Sequence, residues 1–200
     1  SILSIFLYLK TNYPYEEAFR QALFQSVSYI STTGFFSTDF TLWPTFAWTL
    51  ILLIMFVGGS TGSTSGGIKI ARLLIVFKNI KRTTLHISHP NYVKNIQLNK
   101  RTLSEESNNA ILLYVCLFFI LWLIGALILL LIGLDIKTSF SAIASAISGI
   151  GIGVGSVGPF KNFMHLPTFA KYLMSFYMIL GRLEIYTFLI IFTPTFWKKV

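Results

Sequence analysis

The chain has 200 residues, of which 54% are hydrophobic and 12% charged. A soluble domain carries about 25% charged residues, so this chain cannot cover itself with a water-compatible surface, and lipid must be the solvent for much of it. The net charge of +9 would suggest nucleic acid on a soluble protein. Here the basic residues cluster beside apolar runs, which is a membrane-topology pattern and argues against a nucleic-acid partner.

In chain order, residues 2–9 are apolar, with neither a basic n-region nor a small-residue cleavage site. They read as the end of a first span rather than a signal peptide, and the sequence as a fragment of a longer chain. Residues 15–30 are amphipathic and too short to cross. They start with Glu16 and Glu17 and run into Ser31-Thr32-Thr33-Gly34. Residues 42–57 are apolar, break at Gly58 and resume at 68–77. Residues 78–109 are polar and hold Lys78, Lys81, Arg82, Lys94, Lys100 and Arg101. Residues 110–132 form an uninterrupted span, since about 20 residues rising ~1.5 Å each cross the hydrocarbon. The single cysteine, Cys116, lies inside it, so no disulfide forms within the chain and a lipid- or core-facing place is expected. Residues 136–147 are again too short to span and lead into Ser148-Gly149-Ile150-Gly151-Ile152-Gly153. Residues 169–192 read as the last span, with Arg182 and Glu184 embedded in it, ahead of Trp197-Lys198-Lys199. The positive-inside rule places the 79–108 loop and the C-terminus in the cytoplasm, and 133–166 outside.

An internal repeat organises these pieces. Leu42-Trp43-Pro44-Thr45-Phe46-Ala47 matches His165-Leu166-Pro167-Thr168-Phe169-Ala170. In that register Leu50 pairs with Leu173, Met55 with Met178, and Gly58 with Gly181. Upstream, in a register displaced by a loop-sized gap, Ser28, Ile30, Ser31 and Gly34 pair with Ser145, Ile147, Ser148 and Gly151. The expected fold is an all-α membrane protein built from repeated span–pore half-helix–filter loop–span units, like those of K+ channels. Residues 1–78 form one repeat unit, 79–108 a cytoplasmic linker and 109–200 a second, complete unit.

Irregular backbone at membrane depth is tolerated only where it lines a cavity. A dehydrated K+ ion needs oxygens to replace its water, and backbone carbonyls in a glycine-bearing loop supply them without burying a charge. The candidate ion-binding residues are therefore Ser31, Thr32, Thr33 and Gly34 in one loop and Ser148, Gly149, Ile150 and Gly151 in the other. Each half-helix would aim its partly negative C-terminal end at the ion. Asp39, just after the first loop, reads either as a cation attractor at the mouth or as a solvated loop acid. Gly58, Gly59, Ser60, Thr61, Gly62, Ser63, Thr64, Ser65, Gly66 and Gly67 interrupt an apolar helix with residues of poor helix propensity. Below a filter they would form a flexible plug in the ion path. A phosphate loop is not expected, because Lys69 follows Gly67-Ile68 and no Gly-Lys-Ser/Thr order is present. Arg182 sits beyond the middle of its span, where a charge usually faces a cavity. The repeat brings it level with Gly59, so it reads as part of the gate; the other reading is a structural pair with Glu184. No buried nucleophile–base or metal-ligand pair is visible, so an enzyme is not expected.

The stretches GGSTGSTSGGIKIARLLIVFK (58–78), STTGF (31–35) and LGRLEIYTFLIIFTPTFWK (180–198) resemble the third and fourth repeats of the Trk/Ktr/HKT superfamily of potassium transporters, its TrkH branch above all. The likeness covers essentially the whole chain. It implies four repeats around one pore, a homodimer, K+ uptake across the bacterial inner membrane, and a cytosolic nucleotide-binding regulatory subunit of the TrkA/KtrA type. Carried over, Gly34 and Gly151 become filter glycines, 58–67 the intramembrane gating loop and Arg182 the pore arginine facing it. The family's fourth filter often has Asn and Pro around its glycine, where this chain has Gly149 and Ile152. That departure leaves open a less selective Na+/K+ pathway, and a non-conducting membrane scaffold is the remaining alternative.

Overall fold

The computed structural model describes residues 2–11, 13–89, 96–98, 101–191 and 197. Lys94, Lys100, Phe192, Lys198 and Lys199, which the topology and span readings used, lie outside them. The described chain is predominantly helical. Its elements are α1 (Ile2–Lys10), α2 (Tyr15–Ile30), α3 (Thr45–Phe56), α4 (Ile70–Ser88), α5 (Glu105–Leu131), α6 (Ile136–Ser148), α7 (Thr168–Arg182) and α8 (Ile185–Ile191). A small antiparallel pair, β1 (Gln97–Leu98) and β2 (Arg101–Thr102), lies between α4 and α5.

The sequence repeat is a structural repeat. Helix α1, half-helix α2, a loop and α3 are followed later by α5, half-helix α6, a loop and α7. Both helices that follow a loop start directly behind the matched prolines: Pro44 and Pro167 occupy the N-cap positions in extended conformation. A proline there gives up no helical hydrogen bond and sets the entry direction of the chain. Helix α5 opens on Ser104, whose hydroxyl accepts from the Ser107 amide, with Glu105 and Glu106 in its positively polarised first turn. Its 27 residues reach about 40 Å, enough to cross a bilayer core. One side of α5 buries Tyr114, Phe118, Ala126 and Leu129, while Leu113, Ile120, Leu123, Leu127 and Cys116 stay exposed. An apolar helix exposed in this way is at home in lipid.

Half-helix α6 sits at the centre, packed against α5, α7 and α3, and every residue from Ser141 to Ser148 is buried. Its serines and alanines permit close backbone approach. The Cα of Gly181 on α7 abuts the Ile147 carbonyl, where any Cβ would collide. Tyr177 of α7 donates to the Leu121 carbonyl of α5 at 2.8 Å, and Trp122 of α5 donates to Phe140 of α6 at 3.1 Å. Helix α4 runs through Lys78 without a break to Ser88. Its buried Asn79 exchanges amide hydrogen bonds with Asn108 of α5 at 2.7 and 3.1 Å.

The expected last span differs. The described part of 169–192, which ends at Ile191, does not form one straight crossing: α7 and α8 meet at 105°. The α7 ladder closes with the Leu183 amide on Ile179, Glu184 takes φ 58°, and helix restarts with the Phe188 amide on Glu184. A non-glycine residue in that region costs about 1–2 kcal/mol, so the bend needs an anchor. Glu184 is held by Arg72 of α4 through an ion pair of 2.9 Å, and Tyr186 of α8 donates to Ala110 of α5 at 2.7 Å.

Candidate ion site between the half-helices

Both half-helices end in the same way. The Thr33 amide bonds back to Ser28 and the Thr32 amide to Tyr29; at the matched positions the Ile150 amide bonds to Ser145 and the Gly149 amide to Ala146. This double return bond is a Schellman ending, which requires a left-handed residue just past the helix. Thr32 (φ 55°) and Gly149 (φ 71°) are those residues. Two residues on, Gly34 (φ 72°) and Gly151 (φ 91°) are left-handed again, while Thr33 and Ile150 between them are not. In a strand, successive carbonyls alternate sides. Alternating the sign of φ instead turns successive carbonyls toward one side, with the amides on the other.

The two loops share a cavity of about 490 Å³. Ser31, Thr32 and Thr33 line it from one side, and Ser148, Gly149 and Gly151 from the other. The two remaining filter candidates do not line it. They pack on each other instead, with the Ile150 carbonyl oxygen against the Cα of Gly34 so that no Cβ fits there. Gly149 and Gly151 have open space where a Cβ would stand. Asp39 accepts from the Thr41 amide at 3.0 Å and from its hydroxyl, which makes it a turn cap.

The Gly/Ser/Thr run, expected as a flexible plug, carries its own hydrogen-bonded fold. Its neck is a parallel bridge between Val57 and Ile68. There the Gly58 amide bonds to Ile68 at 2.8 Å and the Ile68 amide to Phe56 at 2.9 Å. Gly58 and Gly67 are buried in this neck. Inside the loop the Ser65 hydroxyl accepts from Gly59 at 2.8 Å, and the Ser63 hydroxyl accepts from the Ser65 amide at 3.1 Å. Ser60, Thr61 and Gly62 form an exposed tip. Thr64 and Gly66 line the cavity. Gly66 touches the ends of both half-helices: its amide donates to the Thr32 hydroxyl at 3.3 Å, and its Cα abuts the Ser148 carbonyl.

Arg182 lines the same cavity and donates from Nη1 to the Thr64 carbonyl at 2.8 Å. It therefore meets the loop, as the repeat register suggested, and the pairing with Glu184 is replaced by Glu184–Arg72. The Arg72 guanidinium also lies 3.9 Å over the Tyr114 ring, so α4, α5 and the α7–α8 bend meet at one cation. Sequence reasoning missed Met178 and Gly181 as cavity lining, although both were matched residues of the repeat. It also missed Lys69, whose ammonium turns back into the loop. Among the described residues no group of three or more His, Cys, Asp or Glu side chains that could hold a metal ion is present.

Known proteins share this fold. The family model TrkH, cation transport protein, matches residues 9–199. The Trk system potassium uptake protein TrkH of Escherichia coli (strain K12) is 35% identical over 179 residues, covering 90% of this chain and 37% of its own length. The protein of the same description from Vibrio parahaemolyticus is 37% identical over 186 residues, covering 93% of this chain and 38% of its own. The crystal structure of the potassium transporter TrkH from Vibrio parahaemolyticus superposes with a TM-score of 0.89 at 34% identity, covering 98% of this chain and 42% of that one. The chain thus spans well under half the length of the relatives it matches. With the family model matched over nearly its whole length and the fold reproduced, the chain belongs to the TrkH family of cation transport proteins.

Proposed function

We propose that the protein to which this chain belongs takes up K+ across the bacterial cytoplasmic membrane. K+ would pass between Ser31–Gly34 and Ser148–Gly151, with residues 58–67 and Arg182 as the gate. The observation that carries this reading is the matched alternation of φ in two loops that border one cavity. Alternation of this kind turns successive peptide oxygens toward one side of a loop, here at the C-terminal end of a half-helix whose dipole favours a cation. Carbonyl dipoles of this kind replace the hydration shell of K+ without a fixed negative charge that would trap it.

Arg182 contributes a positive charge on the same cavity, and that charge opposes a passing cation. Its bond to Thr64 holds the loop across the path, so conduction requires loop and arginine to part or shift. The remaining wall of the path, the homodimer and a cytosolic nucleotide-binding subunit of the TrkA/KtrA type follow from the family likeness. Growth at low external K+ of a host without K+ uptake systems, expressing the full-length protein, tests the reading. Rescue of growth with Rb+ accumulation is expected. Absence of both, with the protein present in the membrane, counts against conduction and in favour of a scaffold.

A further inference from the structure

Lys69 is 8% exposed, and a buried ammonium is costly unless its donors are satisfied. Among the described residues no carboxylate lies within ion-pair distance of it. Its acceptors are two backbone carbonyls of the Gly/Ser/Thr loop: Nζ donates to Ser63 at 2.7 Å and to Ser65. The residue between them, Thr64, gives its carbonyl to Arg182. Three consecutive carbonyls are therefore held by two fixed cations, the outer two by Lys69 of the loop's own repeat and the middle one by Arg182 of the other.

We propose that Lys69 is a positioning residue of the gate, its ammonium gathering the Ser63 and Ser65 carbonyls so that the Thr64 carbonyl between them is presented to Arg182. The inference rests on the conduction reading above. An ammonium suits this task because it offers three donors on a compact charge, and carbonyl oxygens solvate it much as they solvate K+. A loop built only of Gly, Ser and Thr has little side-chain packing to hold a shape, and its hydroxyl bonds are exchangeable with water. The buried charge supplies what the composition lacks, since leaving it unpaired is far more costly than losing one neutral hydrogen bond. Lys69 also sits one residue past the Val57–Ile68 bridge, so its stem is fixed at the neck while its head reaches back to the limb between the tip and the neck.

The test is Rb+ influx into proteoliposomes of the full-length protein, without any regulatory subunit, normalised to protein recovered. Lys69→Met should raise influx several-fold, as should Arg182→Ala. The double variant should rise no further than the larger single, because both act on one strand and neighbours in one network do not add. A merely structural lysine would instead lower both influx and yield. Unchanged influx in Lys69→Met, or a double variant that multiplies the two effects, overturns the proposal while the Arg182→Ala result keeps the conduction reading intact. If wild type and Arg182→Ala both carry no Rb+, the conduction reading fails and this inference with it. Lys69→Gln, which keeps a donor and removes the charge, covers the case in which Lys69→Met does not fold. It should raise influx by a smaller factor, and unchanged influx there also overturns the proposal.

Discussion

Half-helices α2 and α6 are the same device in two settings. Helix α6 is enclosed by α5, α7 and α3, and its last turns are buried on every side. Helix α2 packs on α1 and α3 and leaves Tyr15, Phe19, Leu23, Phe24 and Val27 exposed. The left-handed residue that ends α6 is a glycine, whereas α2 uses Thr32 and accepts strain of about 1–2 kcal/mol. The threonine brings a hydroxyl that receives the Gly66 amide, an interaction Gly149 cannot make. The matched serines differ as well: Ser28 donates to Phe35 and Ser31 to Val27, while the buried hydroxyls of Ser145 and Ser148 have no protein partner among the described residues. The first loop is thus tied by side chains to its surroundings and to the Gly/Ser/Thr loop. The second is carried by packing, with glycine backbone left free at the cavity. One loop meets the Gly/Ser/Thr loop through a side chain, and the other through the backbone at Ser148 and Gly149.

Substitutions that treat the halves unequally sharpen this contrast. The largest effect is expected for Gly34→Ser, which combines a left-handed φ with a collision against the Ile150 carbonyl. Rb+ uptake by the full-length protein should fall by about tenfold or more, the consequence of losing some 1.4 kcal/mol or more at the barrier. Gly181→Ala comes next. Alanine gains about 1 kcal/mol in a helix, but its Cβ meets the Ile147 carbonyl. Overpacking of that kind costs about 1–3 kcal/mol, so the thermal midpoint in detergent should drop. Gly149→Ala should be milder than Gly34→Ser in the same uptake assay, because its Cβ enters open space and only the left-handed cost of about 1–2 kcal/mol remains. Equal losses at Gly34 and Gly149 would erase the distinction drawn between the loops. The smallest effect is expected for Thr32→Gly. Relief of φ strain offsets the lost hydroxyl and the greater freedom of the unfolded chain, so denaturation should move by no more than about 0.5 kcal/mol.

Much of this was legible in the sequence where local chemistry decides structure. Residues 15–30 were read as a half-helix with the bounds later found, because they are amphipathic, too short to cross and followed by small residues. The meeting of Arg182 with the loop was legible because the repeat register set its depth. The break at Leu183–Glu184 was not. Gly181, Arg182 and Glu184 stand at it, but the charges read as features of one continuous span, and the residue that stabilises the bend, Arg72, lies far away in sequence. The inward turn of Lys69 was hidden for a related reason. A lysine beside an apolar helix usually reaches for water, and only the closed neck of the loop redirects it to carbonyls. The packing of Gly34 against Ile150 is a contact between repeats, and no single-repeat pattern encodes it.

The claim on which the account turns is that the carbonyl faces of the two loops together receive a monovalent cation. Crystals of the full-length protein grown in Rb+, with the ion located by its anomalous scattering, test it directly. The account predicts Rb+ in the cavity lined by Ser31, Thr32, Thr33, Ser148, Gly149 and Gly151, coordinated by backbone oxygens of the two loops. Rb+ bound elsewhere in the protein, with that cavity unoccupied at saturating concentration, would contradict it.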